Sequence, residues 1–321
     1  MVEFIEYWKG KANIRENWFC RHIGIRQERL IDWRKRRGIA NQHNGKMPRE
    51  YWLSEEEKDA IEHFYLSHRE DGYRRCAYMM IDQDIAFASP TTVYRVLKER
   101  DALRMRGNGP TKKGTGFDQP MKAHEHWHTD ISYVKIGDRF FFLICVLDGF
   151  SRAIVHWDLR EEMKDKDVGI VQMAALEKYP DVNPRYITDN GKQFTGGEFK
   201  KFIALHGLTH VRTSPYYPQS NGKIERFHGT IKSECIRRST LVDQDHAKKV
   251  ILPYVDYYNK QRLHSSIGYV TPFDKLEGRA AKIQQDRDRK LDLARQLRKL
   301  FRETERKSEN QDALDCHPLG S

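Results

Sequence analysis

The chain has 321 residues, with 57 lysines and arginines against 46 aspartates and glutamates, a formal net charge of +11. That surplus points to a polyanionic partner, nucleic acid before an anionic membrane, and the length suits two or three domains. No run approaches the roughly 20 apolar residues that cross a bilayer, the first residues lack a signal peptide's basic flank and apolar core, and the five cysteines are scattered without a C-x-x-C pair, so a membrane-spanning protein, a disulfide scaffold and a structural zinc site are not expected.

Between residues 13 and 37, Ile14, Trp18 and Phe19 precede Ile23-Gly24-Ile25, and Leu30, Ile31 and Trp33 follow. Two helices joined at a glycine are the outline of a helix-turn-helix, here over residues 1–45. Its second segment is strongly basic, and Arg29 and Arg34 are candidate DNA contacts. Ser54-x-x-Glu57 predicts a capping box opening another helix, and Ser89-Pro90 the N-cap and first residue of a later one. A second helix-turn-helix is thus expected over residues 50–105, with Arg95 and Lys98 available to a DNA groove or backbone.

Residues 106–121, rich in glycine and basic residues, read as a linker. Aromatic and β-branched runs over 126–136, 139–148 and 153–159 predict three antiparallel strands in a meander. Helices over 164–178 and 197–206 then alternate with strands over 185–188 and 209–211, giving a mixed α/β sheet with flanking helices. Further helices are expected over 218–237 and 244–259. Residues 279–307 are basic with thin apolar spacing, which predicts a solvated helix that lies on DNA or pairs with another chain.

Asp130 falls in mid-strand within Trp127-His128-Thr129-Asp130, where a carboxylate is costly unless a cation pairs with it. Asp189 follows the fourth strand, at the sheet edge where α/β proteins hold ligands. Glu225 neighbours Ile224, Phe227 and Ile231, the buried stripe of a helix, and lies about 100° of rotation from Ile224, free to face a cleft. Two strands and a helix would thereby bring together the oxygen ligands that hard divalent cations prefer, and two such ions suit in-line displacement at phosphorus.

Thirty-five residues separate Asp189 from Glu225. Together with Trp127-x-x-Asp130, Thr188-Asp189-Asn190-Gly191-x-x-Phe194 and Ser214-Pro215-x-x-Pro218-Gln219-x-Asn221-Gly222-x-x-Glu225, this resembles the D,D(35)E pattern of the DDE transposase and retroviral integrase superfamily. The resemblance runs from residue 126 to 232, with a looser match at Tyr258-Asn259-x-x-Arg262-x-His264 and Thr271-Pro272. It implies a ribonuclease-H-like catalytic core over 122–240, a helical extension over 241–278 and a basic tail over 279–321. Asp130, Asp189 and Glu225 are then the catalytic ligands of two magnesium ions, for which manganese substitutes. Lys232, two helical turns after Glu225 and about 20° off its face, is a candidate phosphate contact, as are Asn221 and Lys223.

The function implied is that of a bacterial insertion-sequence transposase in the cytoplasm at the nucleoid. It would act on double-stranded DNA, both terminal inverted repeats and target, as a dimer or higher multimer. A purely hydrolytic endonuclease and an inactive DNA-binding regulator are the alternatives. Asp148, before the turn Gly149-Phe150-Ser151, is read as structural, and no essential base is expected among His126, His128, His210 and His228. The chain lacks the His/His/Cys/Cys module of retroviral integrases, so zinc is not expected. It also lacks a leucine heptad before Asp130, which leaves its mode of multimerisation undefined.

Overall fold

The computed structural model describes residues 1–12, 14–35, 37, 52–103, 119–213 and 221–315. Most of the expected linker, and residues 214–220 of the motif before Glu225, lie outside the described residues. The chain divides into two units, Met1–Trp52 with Arg298–Ser321, and Leu53–Leu297.

In the first unit, helices α1 (Val2–Ala12), α2 (Glu16–Ile23) and α3 (Gln27–Lys35) enclose a small core of Ile5, Phe19, Cys20 and Leu30. Gly24 ends α2 at φ 71°, its N–H bonded to the Cys20 carbonyl; this left-handed cap turns the chain into α3 and suits a residue without a Cβ. Helix α1 has no counterpart in the sequence reading. Its bulky Phe4, Tyr7 and Trp8 are exposed while Ile5 is wholly buried, so its apolar residues do not trace an inward stripe.

The second unit begins with α4 (Glu55–Ser67), α5 (Tyr73–Asp82) and α6 (Pro90–Glu99). Ser54 and Glu57 form the expected reciprocal capping box, and Ser89 caps α6 through Thr92 N–H with Pro90 in the first turn. Ile61, Met80, Val93 and Leu97 close the core between these helices, which leaves Tyr94, Arg95 and Lys98 on the outer face of α6.

Strands β1 (His126–Ile136), β2 (Arg139–Asp148) and β3 (Ile154–Arg160) are followed by α7 (Asp165–Lys178), β4 (Arg185–Thr188), α8 (Lys192–Thr195), α9 (Gly197–Leu205) and β5 (Thr209–Arg212). The sheet order is β3-β2-β1-β4-β5, antiparallel across β1, β2 and β3 and parallel from β1 through β4 to β5. This is the ribonuclease-H-like mixed sheet implied by the resemblance. Period-2 alternation divides the strands between two cores. Trp127, Ile144 and Val146 pack on α7, α8 and α9. Val134, Leu143, Cys145 and Leu147 instead pack on α10 (Gly222–Glu234) and α11 (Gln244–Lys260). Ile224, Phe227 and Ile231 of α10 are at most 2% exposed, and each contributes roughly 1.5–3 kcal/mol to holding that helix on the sheet.

The chain closes with α12 (Pro272–Leu276) and the long α13 (Ala280–Asp315). Leu293, Leu297 and Leu300 are exposed, as a solvated helix requires, but Arg287 is not: it is 2% exposed. Its guanidinium donates twice to the Asp82 carboxylate at the end of α5 (2.7 and 2.6 Å) and once to the Tyr269 carbonyl (2.9 Å), over the ring of Tyr78. Lys290, one turn on, donates to the Ile81 carbonyl and pairs with Asp84. The solvated helix expected from thin apolar spacing is therefore corrected for this stretch: charge pairing, which apolar periodicity does not register, seats it against α5. Arg287→Met should destabilise the protein by about 2–3 kcal/mol, below the cost of breaking a fully buried pair because Asp82 is 34% exposed. Arg287→Lys should recover only part of that loss, since an ammonium cannot make the two-pronged contact. Denaturant melts of both variants measure it.

Candidate active site

Asp130 lies opposite Cys145 in the β1–β2 register, on the sheet face covered by α10. Its Oδ1 accepts from Ile131 N–H (2.9 Å) and its Oδ2 sits 3.4 Å from His228 Nδ1 on α10. Asp189 follows the last residue of β4, where its Oδ1 accepts from Gly191 N–H (2.9 Å) and shapes the turn into α8. Glu225 stands in the first turn of α10, exposed beside the buried stripe, as its place in the periodicity predicts.

Electrostatics tie the three together. Burial first, and then the negative charge of Asp130, raises the Asp189 carboxyl above its ordinary range. The same two causes, in the same order, raise Glu225, partly opposed by His228. Asp130 is thus within electrostatic reach of both other carboxylates, although among the described residues no group of three or more His, Cys, Asp or Glu side chains is drawn into a single ligand shell. The donors are all oxygen, which suits a hard cation. A divalent charge among them would favour their ionised forms, offsetting both the burial and the Asp130 charge that raise Asp189 and Glu225. On those grounds the residues fit magnesium.

The surroundings sort the remaining candidates. Asp148 is fully buried and spends its oxygens on the turn that follows β2, accepting from His124 N–H (2.8 Å), Ser151 N–H (2.7 Å) and Ser151 Oγ–H (2.6 Å); this is the structural role read from Asp-Gly. Lys223, named from the sequence as a DNA contact, points inward: its ammonium donates to the Gly149 carbonyl (2.9 Å), and burial, then Arg152, push its pKa down to about 8 against the pull of Asp148. Asn221 is 3% exposed, with its side chain beside His128. His128, fully buried beside these groups, is pushed down to about 3 by burial, then by Lys223 and Arg152, and so stays neutral. Lys232 is half-buried on α10.

The DNA-binding candidates of the N-terminal third divide similarly. Arg95 and Lys98 are exposed on the outer face of α6, and exposed Arg29 lies over Trp33. Arg34, by contrast, pairs with Glu6 (3.0 Å) and Glu16 (3.2 Å). The motif Tyr258-Asn259-x-x-Arg262 proves to be scaffolding. Asn259 both accepts from Ile154 N–H and donates to its carbonyl at the start of β3 (2.9 and 3.0 Å), while Arg262 grips Glu234 at the end of α10 with two bonds (2.9 and 2.6 Å).

Two family models, each described as an integrase core domain, match residues 120–218 and 206–272. The 39.2 kDa protein of insertion element IS476 from Xanthomonas euvesicatoria is 28% identical over 216 residues, covering 64% of this chain and 60% of that protein. The transposase of IS904 from Lactococcus lactis is 29% identical over 51% of this chain and 69% of its own length. Transposase InsD of IS2 from Escherichia coli is 26% identical over 65% and 74%. Among solved structures, the HTLV-2 integrase catalytic core domain in complex with magnesium aligns over 48% of this chain and 97% of its own (18% identity, TM-score 0.40). A simian T-cell lymphotropic virus intasome with a PP2A regulatory subunit aligns over 68% and 74% (16%, 0.46).

Over residues 120–272 the chain therefore matches an integrase core domain. The relatives named above are proteins of bacterial insertion elements.

Because burial, and then repulsion by Asp130, destabilise the ionised forms of Asp189 and Glu225, Asp189→Asn and Glu225→Gln should each raise the melting temperature in metal-free buffer at neutral pH. The gain should shrink as pH falls through the raised pKa of the wild-type carboxylate, because protonation removes the same penalty. Calorimetry in a chelator across pH 4–7 checks the sign.

Proposed function

We propose that the chain is a transposase that binds the ends of an insertion element and performs DNA strand cleavage and strand transfer at Asp130, Asp189 and Glu225. The observation that carries this reading is the convergence of Asp189 and Glu225 on the field of Asp130 at a spacing of 35 intervening residues. The superfamily's enzymes are of the polynucleotidyl transferase type, which fits an all-carboxylate centre in a strongly basic protein.

Asp130, Asp189 and Glu225 would hold two magnesium ions, or manganese in their place. When bound, these supply positive charge that activates the attacking oxygen and stabilises the leaving oxygen of an in-line displacement. The protein's own part is to position. Asp130 is held from β1, Asp189 from the β4 turn and Glu225 from α10, and His228 against Asp130 fixes that carboxylate's orientation. Water attack at the element boundary forms a new P–O bond and breaks the P–O3′ bond, freeing a 3′-hydroxyl. That hydroxyl would then attack a target phosphodiester in the same centre, forming a new P–O bond while the target's own P–O3′ bond breaks and its 3′-oxygen leaves as a hydroxyl. Lys232 contacts a phosphate nearby, and the outer faces of α3 and α6 contact the element end through Arg29, Arg95 and Lys98. Joining two ends requires two such centres, so the working form is a dimer or higher multimer on DNA.

In a cleavage assay on DNA carrying the element's termini, Asp130→Asn, Asp189→Asn and Glu225→Gln should each abolish strand cleavage while retaining end binding, because phosphate contacts rather than the ligands supply affinity. Asp148→Asn should retain the chemistry. Normal turnover by Glu225→Gln refutes the assignment. Arg95→Ala and Lys98→Ala should weaken end binding. A base contact would cost about 1–3 kcal/mol and relax specificity, whereas a phosphate contact would lower affinity on every sequence and reduce the salt slope by about 1. Gel shifts across a salt series separate these outcomes.

A further inference from the structure

The least expected side chain of the core domain is Lys223. It is the second residue of α10, where its positive charge opposes the helix dipole, its side chain is partly buried, and Arg152 repels it. Each of these is a cost. What the residue makes in return is a charge-assisted bond to the carbonyl of Gly149, 74 positions away in sequence.

That carbonyl belongs to a heavily anchored turn. Asp148 N–H donates to the Ala153 carbonyl, Gly149 N–H to the His126 carbonyl and Arg152 N–H to the Asp148 carbonyl, and Asp148 holds Ser151 by two further bonds. Residue 149 can be only glycine, because a Cβ there would lie 2.9 Å from His128 Nε2 and 3.2 Å from the His126 carbonyl. The start of α10, by contrast, has no side-chain cap among the described residues: Asn221 occupies the N-cap position without making that bond. Two residues beyond Lys223 is Glu225.

We infer that Lys223 is a positioning residue that tethers the uncapped first turn of α10 to the β2–β3 turn and thereby sets the place of Glu225 relative to Asp130. The tether acts on the helix and touches no DNA. It rests on the proposed function only for its consequence, the holding of a divalent cation; the mechanical role stands on the Gly149 contact alone.

Full-length wild type, Lys223→Met and Lys223→Arg are compared by amide hydrogen exchange, by manganese titration followed by electron paramagnetic resonance, and by gel shift on a random 30-base-pair duplex across a salt series. Methionine preserves the apolar stem and removes the donor. In Lys223→Met the amides of the first turn of α10 should exchange about 10- to 100-fold faster, the worth of one hydrogen bond from a charged group, with α11 unchanged. Manganese affinity should fall about 10- to 100-fold, as when a group that orients a ligand is lost. Duplex affinity and salt slope should stay as in wild type, and Lys223→Arg, which keeps a donor, should restore part of the protection. Unchanged exchange in α10, or a weakened duplex complex with a shallower salt slope, would overturn the inference and return Lys223 to the phosphate contacts. Manganese binding by wild type that is absent or insensitive to Glu225→Gln would instead sink the metal reading, while the exchange data still decide the tether.

Discussion

Three carboxylates that repel one another must be kept within reach of one another, and much of the core domain can be understood as the scaffold that does so. Asp130 raises both Asp189 and Glu225, so relaxation of the backbone would spread them. The carboxylate from β1 and the one at the end of β4 are restrained by the parallel pairing of those strands. The third is on a helix, which has no ladder to fix it, and the helix is where the clamps accumulate.

Helix α10 is held at three levels. Ile224, Phe227 and Ile231 bury its stripe against β1 and β2. Glu234 at its end is gripped by Arg262 and by the Tyr254 hydroxyl, and Asn259 fastens α11 to the backbone of β3. At its start, Lys223 reaches the Gly149 carbonyl. Apolar burial alone is non-directional and lets a helix slide; the polar contacts are directional and remove that freedom.

The same economy of few directional contacts recurs at α13. The Arg287 guanidinium, buried and bonded to Asp82 and Tyr269, and the Lys290 ammonium, bonded to the Ile81 carbonyl, join the helix to the end of α5. The helices α4–α6 and the sheet thus belong to one unit, in which the outer face of α6 carries exposed basic residues and the sheet and α10 carry the carboxylates.

Strands and most helices were legible because period-2 and period-3.6 patterns are one-dimensional signals, and capping at Ser54 and Ser89 is written in adjacent residues. The three carboxylates were singled out from spacing, and the burial of Ile224 beside exposed Glu225 followed from helical geometry. Helix α1 was missed because its exposed aromatics obscure the stripe, and α8 because four residues hold too little periodicity to register. Lys223, Arg34 and Arg287 show a different limit. On paper each is one basic residue among 57, and nothing in its neighbours says whether it meets DNA, a carboxylate or a carbonyl. Sequence by itself determined the fold class and singled out the three carboxylates, since both readings rest on local periodicity and ordered motifs. Which positive charges face outward was decided only by the tertiary structure, because the partners of these three lie 18 to 205 positions away and long flexible side chains go wherever a distant acceptor is brought within reach.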